Sequence, residues 1–202
     1  MAACGREIPR AECSSPPLLN TYIGGIPILF RSEANPMIKD NVRDALNAQM
    51  VREFFSTYLY LSMSAYFESI NLRGFAGWLK VQAQEEMNHG MKFYDYLVDQ
   101  GARVTLKAIE GPKTEWGSPL DAFEHVLGHE QKVTAHIHDL AALAASDKDY
   151  ATSNFLQWFV NEQVEEEANA GDIVYKLKLA SAEKGVGILF MMDHHLGKRG
   201  SK

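Results

Sequence analysis

From Ile38 onward, apolar residues return every three or four positions, the spacing of one face of an α-helix. Val42, Leu46, Met50, Phe54, Leu61 and Ala65 predict a first helix from about Lys39 to Ser69, broken at Asn71-Leu72-Arg73-Gly74. A second follows from about Phe75 to Asp99 on Trp78, Val81, Met87, Phe93 and Leu97, and ends at Gln100-Gly101, where glycine suits a left-handed cap. The short break makes these two helices antiparallel neighbours. Between Gly101 and Gly117 the period is lost, and Gly111-Pro112 and Trp116-Gly117 act as breakers, so this stretch reads as a connector able to travel the length of a bundle. Ser118-Pro119 has the form of an N-cap followed by a first-turn proline and opens a third helix to about Ala145. After the turn Asp147-Lys148-Asp149, a fourth runs to about Leu179 through Phe155, Leu156, Phe159, Val164 and Ile173. Gly185 and Gly187 end it, and Ile188 to Leu196 forms one more short helix. Two antiparallel hairpins joined by one long crossover, plus a short fifth helix, give an all-α four-helix bundle.

Residues 1–36 depart from this pattern. Five of the seven prolines fall there, together with Gly24-Gly25, and no helical period survives them. The segment is expected to be a poorly ordered arm, with the folded domain spanning 37–202 and Met37 the expected natural start. Leu18 to Phe30 after Arg6 and Arg10 loosely imitates a signal peptide, but Gly24-Gly25 and Pro27 interrupt the apolar run, so export is not the expectation.

Composition narrows the function. At 202 residues the chain supports one sizeable core rather than two ordinary domains. A net charge of −6 with interspersed signs offers no basic stripe for phosphate backbones, which sets nucleic acid aside and suits cationic ligands. Both cysteines, Cys4 and Cys13, lie in the arm, leaving the helical region without a disulfide framework, a zinc pair or an iron–sulfur motif; a cytoplasmic setting is expected. No apolar run reaches the roughly 18 residues of a membrane span.

The chemistry lies in a repeat. Glu53 and Glu130, Glu86 and Gln163, and His89 and Glu166 are each 77 positions apart (130−53, 163−86, 166−89). Glu86-x-x-His89 places a carboxylate and an imidazole one turn apart on one helix face. If the two hairpins are related by an approximate twofold axis, Glu53 faces Glu130, and Glu86/His89 face Gln163/Glu166. Glutamates converging in a bundle core are costly unless a cation or hydrogen-bond donors neutralise them, so the pattern implies a dinuclear carboxylate metal site. Carboxylates with one imidazole and no thiolate suit ferrous iron, manganese or zinc.

The run Gln84-Glu85-Glu86-Met87-Asn88-His89, Glu53 followed seven residues later by Tyr60, and the stretch Asn154 to Glu167 (NFLQWFVNEQVEEE) resemble bacterial non-haem ferritin. The likeness covers nearly everything from Met37 to about His195. It implies a ferroxidase, oxidising ferrous iron with dioxygen or hydrogen peroxide for iron storage and detoxification, and a hollow shell of twenty-four subunits filled with ferric oxyhydroxide. By the resemblance Glu53, Glu86 and His89 hold a first iron, and Glu86, Glu130 and Glu166 a second, with Gln163 near it. Glu85, Glu162 and Glu165, with Glu166 shared, make a third, looser site. Tyr60, by itself a core tyrosine, would hydrogen-bond within the site and donate an electron. The fifth helix resembles the one that lines shell channels. Met87 stands where haem-binding bacterioferritins use an axial methionine, but methionine at helical spacing reads as packing, and no haem is expected. Bacterioferritin and rubrerythrin-like peroxidases are the alternative reading; both use a second Glu-x-x-His on the fourth helix, where this chain has Gln163-x-x-Glu166. His125, His129, His136 and His138 are expected to be surface histidines rather than a second metal site.

Overall fold

The computed structural model describes residues 22–23, 26–27, 38–182 and 185–199. In the first unit, Met1–Ala34, β1 (Tyr22–Ile23) pairs antiparallel with β2 (Ile26–Pro27), Tyr22 opposite Pro27 and Ile23 opposite Ile26. The rest of the expected arm lies outside the described residues.

The second unit, Asn35–Lys202, holds all five helices: α1 (Asp40–Ser69), α2 (Arg73–Asp99), α3 (Pro119–Ser146), α4 (Tyr150–Ala182) and α5 (Val186–Leu196). The turns follow their local chemistry. Asn71 reverses the chain after α1 at φ 59°, and Gly101 closes α2 at φ 70°, both in the left-handed region that Asn and Gly tolerate. Ser118 is extended and its hydroxyl accepts from the Asp121 amide at 3.1 Å, with Pro119 in the first turn of α3. Between α3 and α4, Lys148 takes φ 56°, and Asp149 accepts from the Thr152 amide at 3.0 Å. α1 pairs with α2, α3 with α4, and α1 also meets α3; residues 102–117 form the crossover without helix or strand.

Two apolar cores fill the bundle. One gathers Leu59, Met63, Phe67, Phe75, Trp78, Phe123 and Ile173, with Phe67 stacked on Phe75 at 5.2 Å. The other gathers Val42, Leu46, Met50, Phe93, Leu97, Ile137 and Phe159, with Phe93 stacked on Phe159 at 4.2 Å. Along α1 they are separated by buried polar residues, among them Gln49, Glu53, Ser56 and Thr57. Four residues expected in the core stripes are instead exposed: Leu61 (47%), Ala65, Met87 (38%) and Val164 (69%). On α1 the buried stripe runs through Leu59, Tyr60, Met63, Ser64 and Phe67, which leaves Leu61 and Ala65 on the other side of the helix.

α5 closes one end of α2. Asp193 Oδ1 accepts from the Gly74 and Phe75 amides at 2.7 and 3.0 Å, supplying the N-terminal cap that Leu72 lacks. Met192 and Leu196 are buried beneath it, while Phe190 and Met191 face outward.

Candidate metal centre

Four helices contribute to one buried polar layer. Glu53 and Tyr60 lie two turns apart on α1, Glu86 and His89 one turn apart on α2, Glu130 on α3, and Gln163 and Glu166 one turn apart on α4. Apart from Tyr60, which is fully buried, each of these seven is between 1% and 5% exposed. Packing of apolar residues on both sides holds the carboxylates away from water.

Their ligand atoms converge in two groups. One atom each from Glu53, Glu86 and His89 lie within 4.8 Å of one another, as do atoms of His89, Glu162 and Glu166. His89 Nδ1 is 3.6 Å from Glu86 and its Nε2 3.9 Å from Glu162. The first trio is the one expected around a first iron. Of the second, Glu166 joins the His89–Glu162 group, whereas Glu130 belongs to neither. It accepts the Tyr60 hydroxyl on Oε1 and the Gln163 amide on Oε2 at 3.3 Å. Glu162 is gathered in with half-buried access, Glu165 is exposed, and Glu85 is engaged by Arg199.

Electrostatics show how strongly this layer resists carrying its full negative charge. Burial, reinforced by Glu86, pushes Glu53 up to about 8. Burial with the charges of Glu130 and Glu166 drives Glu86 well above the usual carboxylate range. Glu130 and Glu166 rise to about 7, again chiefly through burial. Tyr60 is raised by burial and by Glu130, so its hydroxyl stays a donor. Four carboxylates beside one imidazole are donors that could hold a hard divalent cation rather than a soft one.

Sequence reasoning missed the amides that orient these carboxylates. Gln49 Nε2 donates to Glu53 Oε1 at 2.8 Å. Gln82 Nε2 donates to Glu166 Oε2 at 2.7 Å and to Glu86 Oε1 at 3.3 Å. A signal existed, because each glutamine stands four residues before a glutamate of the layer, and 49–53 recurs 33 positions later as 82–86. Gln163 is fixed in turn: Nε2 contacts Thr134 Oγ1 at 3.2 Å, and Thr134 donates to Glu167 at 2.5 Å.

The histidines of α3 depart from expectation. His138 is exposed, but His125, His129 and His136 are half-buried. Trp116 Nε1 donates to His125 Nδ1 at 3.0 Å, and His129 Nε2 lies 2.7 Å from Ser56 Oγ, edge-on to Tyr60. Burial lowers His129 to about 4 and keeps it neutral. None of the four joins a metal-ligating group among the described residues. Met87 is 38% exposed on α2 rather than part of the core.

Residues 43–180 match the family described as "Ferritin: Ferritin-like domain". The chain is similar to a bacterial non-heme ferritin of Bacteroides fragilis (strain 638R), 45% identical over 163 residues, covering 81% of this chain and all of the relative. It is 47% identical over 132 residues to a bacterial non-heme ferritin of Staphylococcus saprophyticus, covering 65% of this chain and 79% of that one. Among solved structures, an open pore ferritin from the hyperthermophilic archaeon Archaeoglobus fulgidus matches with a TM-score of 0.77 and 52% identity, over 79% of this chain and 98% of its own. With two thirds of its length inside the family match and a buried carboxylate layer at the expected positions, this chain belongs to the ferritin family.

Proposed function

We propose that this ferritin stores and detoxifies iron by oxidising it at the buried layer, with Glu53, Glu86 and His89 taking a first ferrous ion and Glu86, Glu130 and Glu166 a second. The observation that carries the reading is the burial of four glutamates and a histidine between two apolar cores, a costly arrangement that a pair of divalent cations neutralises. Glu130 joins with a lone pair that Tyr60 and Gln163 leave free. Hard anionic oxygens favour ferric over ferrous iron, which lowers the barrier to electron loss. Two ferrous ions give one electron each; with two protons these reduce dioxygen to hydrogen peroxide, or hydrogen peroxide to two waters. The ferric product binds water, sheds protons and hydrolyses to mineral. Tyr60, bonded to Glu130, is placed to supply a further electron, and Gln163 holds Glu130 from the other side.

The same proposal includes a third site at Glu85, Glu162 and Glu165 with Glu166 shared, supported by the convergence of Glu162 and Glu166 on His89. It also includes assembly into a shell of twenty-four copies in the cytoplasm, as membership of the ferritin family suggests. No helix among the described residues is long and apolar enough to cross a membrane.

The test is Glu86→Ala and His89→Ala, read by stopped-flow ferrous oxidation and by particle size. Fast oxidation should disappear while assembly persists, because both side chains lie buried inside one bundle and Glu86→Ala relieves repulsion in the metal-free layer. Wild-type rates in both variants would sink the assignment.

A further inference from the structure

The C-terminal turn reaches the metal centre through one side chain. Trp78, Gln82 and Glu85 occupy positions i, i+4 and i+7 on one face of α2. α5, anchored by Asp193 on the α2 N-terminus and by buried Met192 and Leu196, ends in a turn held by the Arg199 amide bonding to the Leu196 carbonyl at 3.1 Å. That turn lays Arg199 along the face. Its guanidinium stacks on Trp78 at 4.4 Å, donates through Nη1 to Gln82 Oε1 at 2.8 Å, and ion-pairs through Nη2 with Glu85 Oε2. Gln82, with its oxygen fixed by Arg199, must direct its amide nitrogen toward Glu166 and Glu86, where it is found. One chain of contacts thus runs from the C-terminal turn to two ligand carboxylates.

We propose that Arg199 is a resident competitor cation at the third metal site: its guanidinium occupies Glu85, and a divalent ion binds there only by displacing it. The inference rests on the three-site reading above. A planar fork suits the two acceptors it meets, and the Trp78 face stabilises it further. The pair is also displaceable, because the Arg199 and Glu85 side chains are 24% and 38% exposed and water screens their attraction. A divalent ion brings twice the charge and direct carboxylate coordination. Occupation of Glu85 by Arg199 therefore weakens the third site, and the first two sites fill before it.

The experiment is a calorimetric titration of redox-inert Zn²⁺ into the metal-free, full-length protein, with the Glu85→Gln background separating the effect at Glu85 from any that Arg199 passes through Gln82. Arg199→Ala should tighten the third ion about fivefold, an order-of-magnitude figure from the range for partly exposed ion pairs. Arg199→Lys, which keeps the charge and loses the fork, should give a smaller gain. In a Glu85→Gln background the Arg199→Ala gain should vanish. Three ions binding with the same affinities in wild type and Arg199→Ala, or an undiminished gain in the Glu85→Gln background, overturns the proposal alone. Only two ions per subunit in both proteins overturns it together with the three-site reading.

Discussion

The Tyr60 hydroxyl on α1 donates to the Glu130 carboxylate on α3, and both groups are buried in the layer that separates the two apolar cores. The bond ties the two helix hairpins together within that layer. A hydrogen bond to a charged group contributes about 1.5–3 kcal/mol, and about 1.4 kcal/mol corresponds to tenfold in rate. Tyr60→Phe is therefore expected to oxidise ferrous iron at roughly a tenth of the wild-type rate by stopped flow, with no tyrosyl radical after rapid freezing. A wild-type rate in Tyr60→Phe would show that the hydroxyl only packs.

Metal-free stability should fall as pH rises from 6.5 to 8. Glu53, Glu130 and Glu166 have folded values of about 8, 7 and 7 against an ordinary 4.5, so the stability they contribute is complete below 4.5 and lost as pH passes through 7 to 8. His129 acts oppositely. Its value drops from 6.5 to about 4, so its contribution is complete above 6.5 and lost toward 4. Below 6.5 the two trends partly cancel; above it only the carboxylates titrate. Thermal melts of metal-free and Zn²⁺-loaded protein at both pH values check this, the loaded form being expected to hold its stability because metal has replaced the protons. Equal losses in both forms would place the pH dependence elsewhere.

Much of this buried layer was legible in the chain because its spacing is written in residue types that a core otherwise avoids. Glu53, Glu86, His89, Glu130, Gln163 and Glu166 stood out by their 77-residue offset, and the structure buries all six in one layer. The same chemistry blurred the hydrophobic pattern. On α1 the buried face carries Asn47, Gln49, Glu53, Ser56, Thr57 and Ser64, so apolar periodicity alone assigned Leu61 and Ala65 to the inside. The half-buried state of His129 depends on Ser56 and Tyr60 across the bundle, and Arg199 meets Glu85 only because α5 docks on α2. Such contacts join residues far apart in the chain and leave no periodic trace.

α5 should be the most sensitive element to a single methyl group. A Cβ at Gly74 would lie 1.6 Å from the Asp193 carbonyl oxygen, a backbone atom that cannot move without the helix. Gly74→Ala is expected to lift α5 from α2 and uncover Met192 and Leu196, costing about 3 kcal/mol by the usual measure of buried apolar side chains. Asp193→Ala, which removes only the cap, should cost about 1 kcal/mol. Hydrogen exchange over residues 186–196 and denaturant midpoints report both. Unchanged protection of α5 in Gly74→Ala would contradict this packing.

The two supporting amides should differ in weight. Gln49 donates to one ligand carboxylate, Glu53, whereas Gln82 donates to Glu166 and Glu86 together. A donor to a carboxylate favours its charged form, so replacing either glutamine by leucine raises the pKa of its partners, and metal must then displace protons that are held more tightly. The pH midpoint of Zn²⁺ binding should move upward in both variants, by about one unit for Gln49→Leu and about two units for Gln82→Leu, taking one donor to a charged group as roughly 1.5 kcal/mol. Leucine is close in volume and apolar, so the surrounding cores remain filled and the shift reports electrostatics rather than a cavity. A midpoint that moves downward in Gln82→Leu, or equal shifts in the two variants, would mean that these amides fill space without tuning the carboxylates they touch.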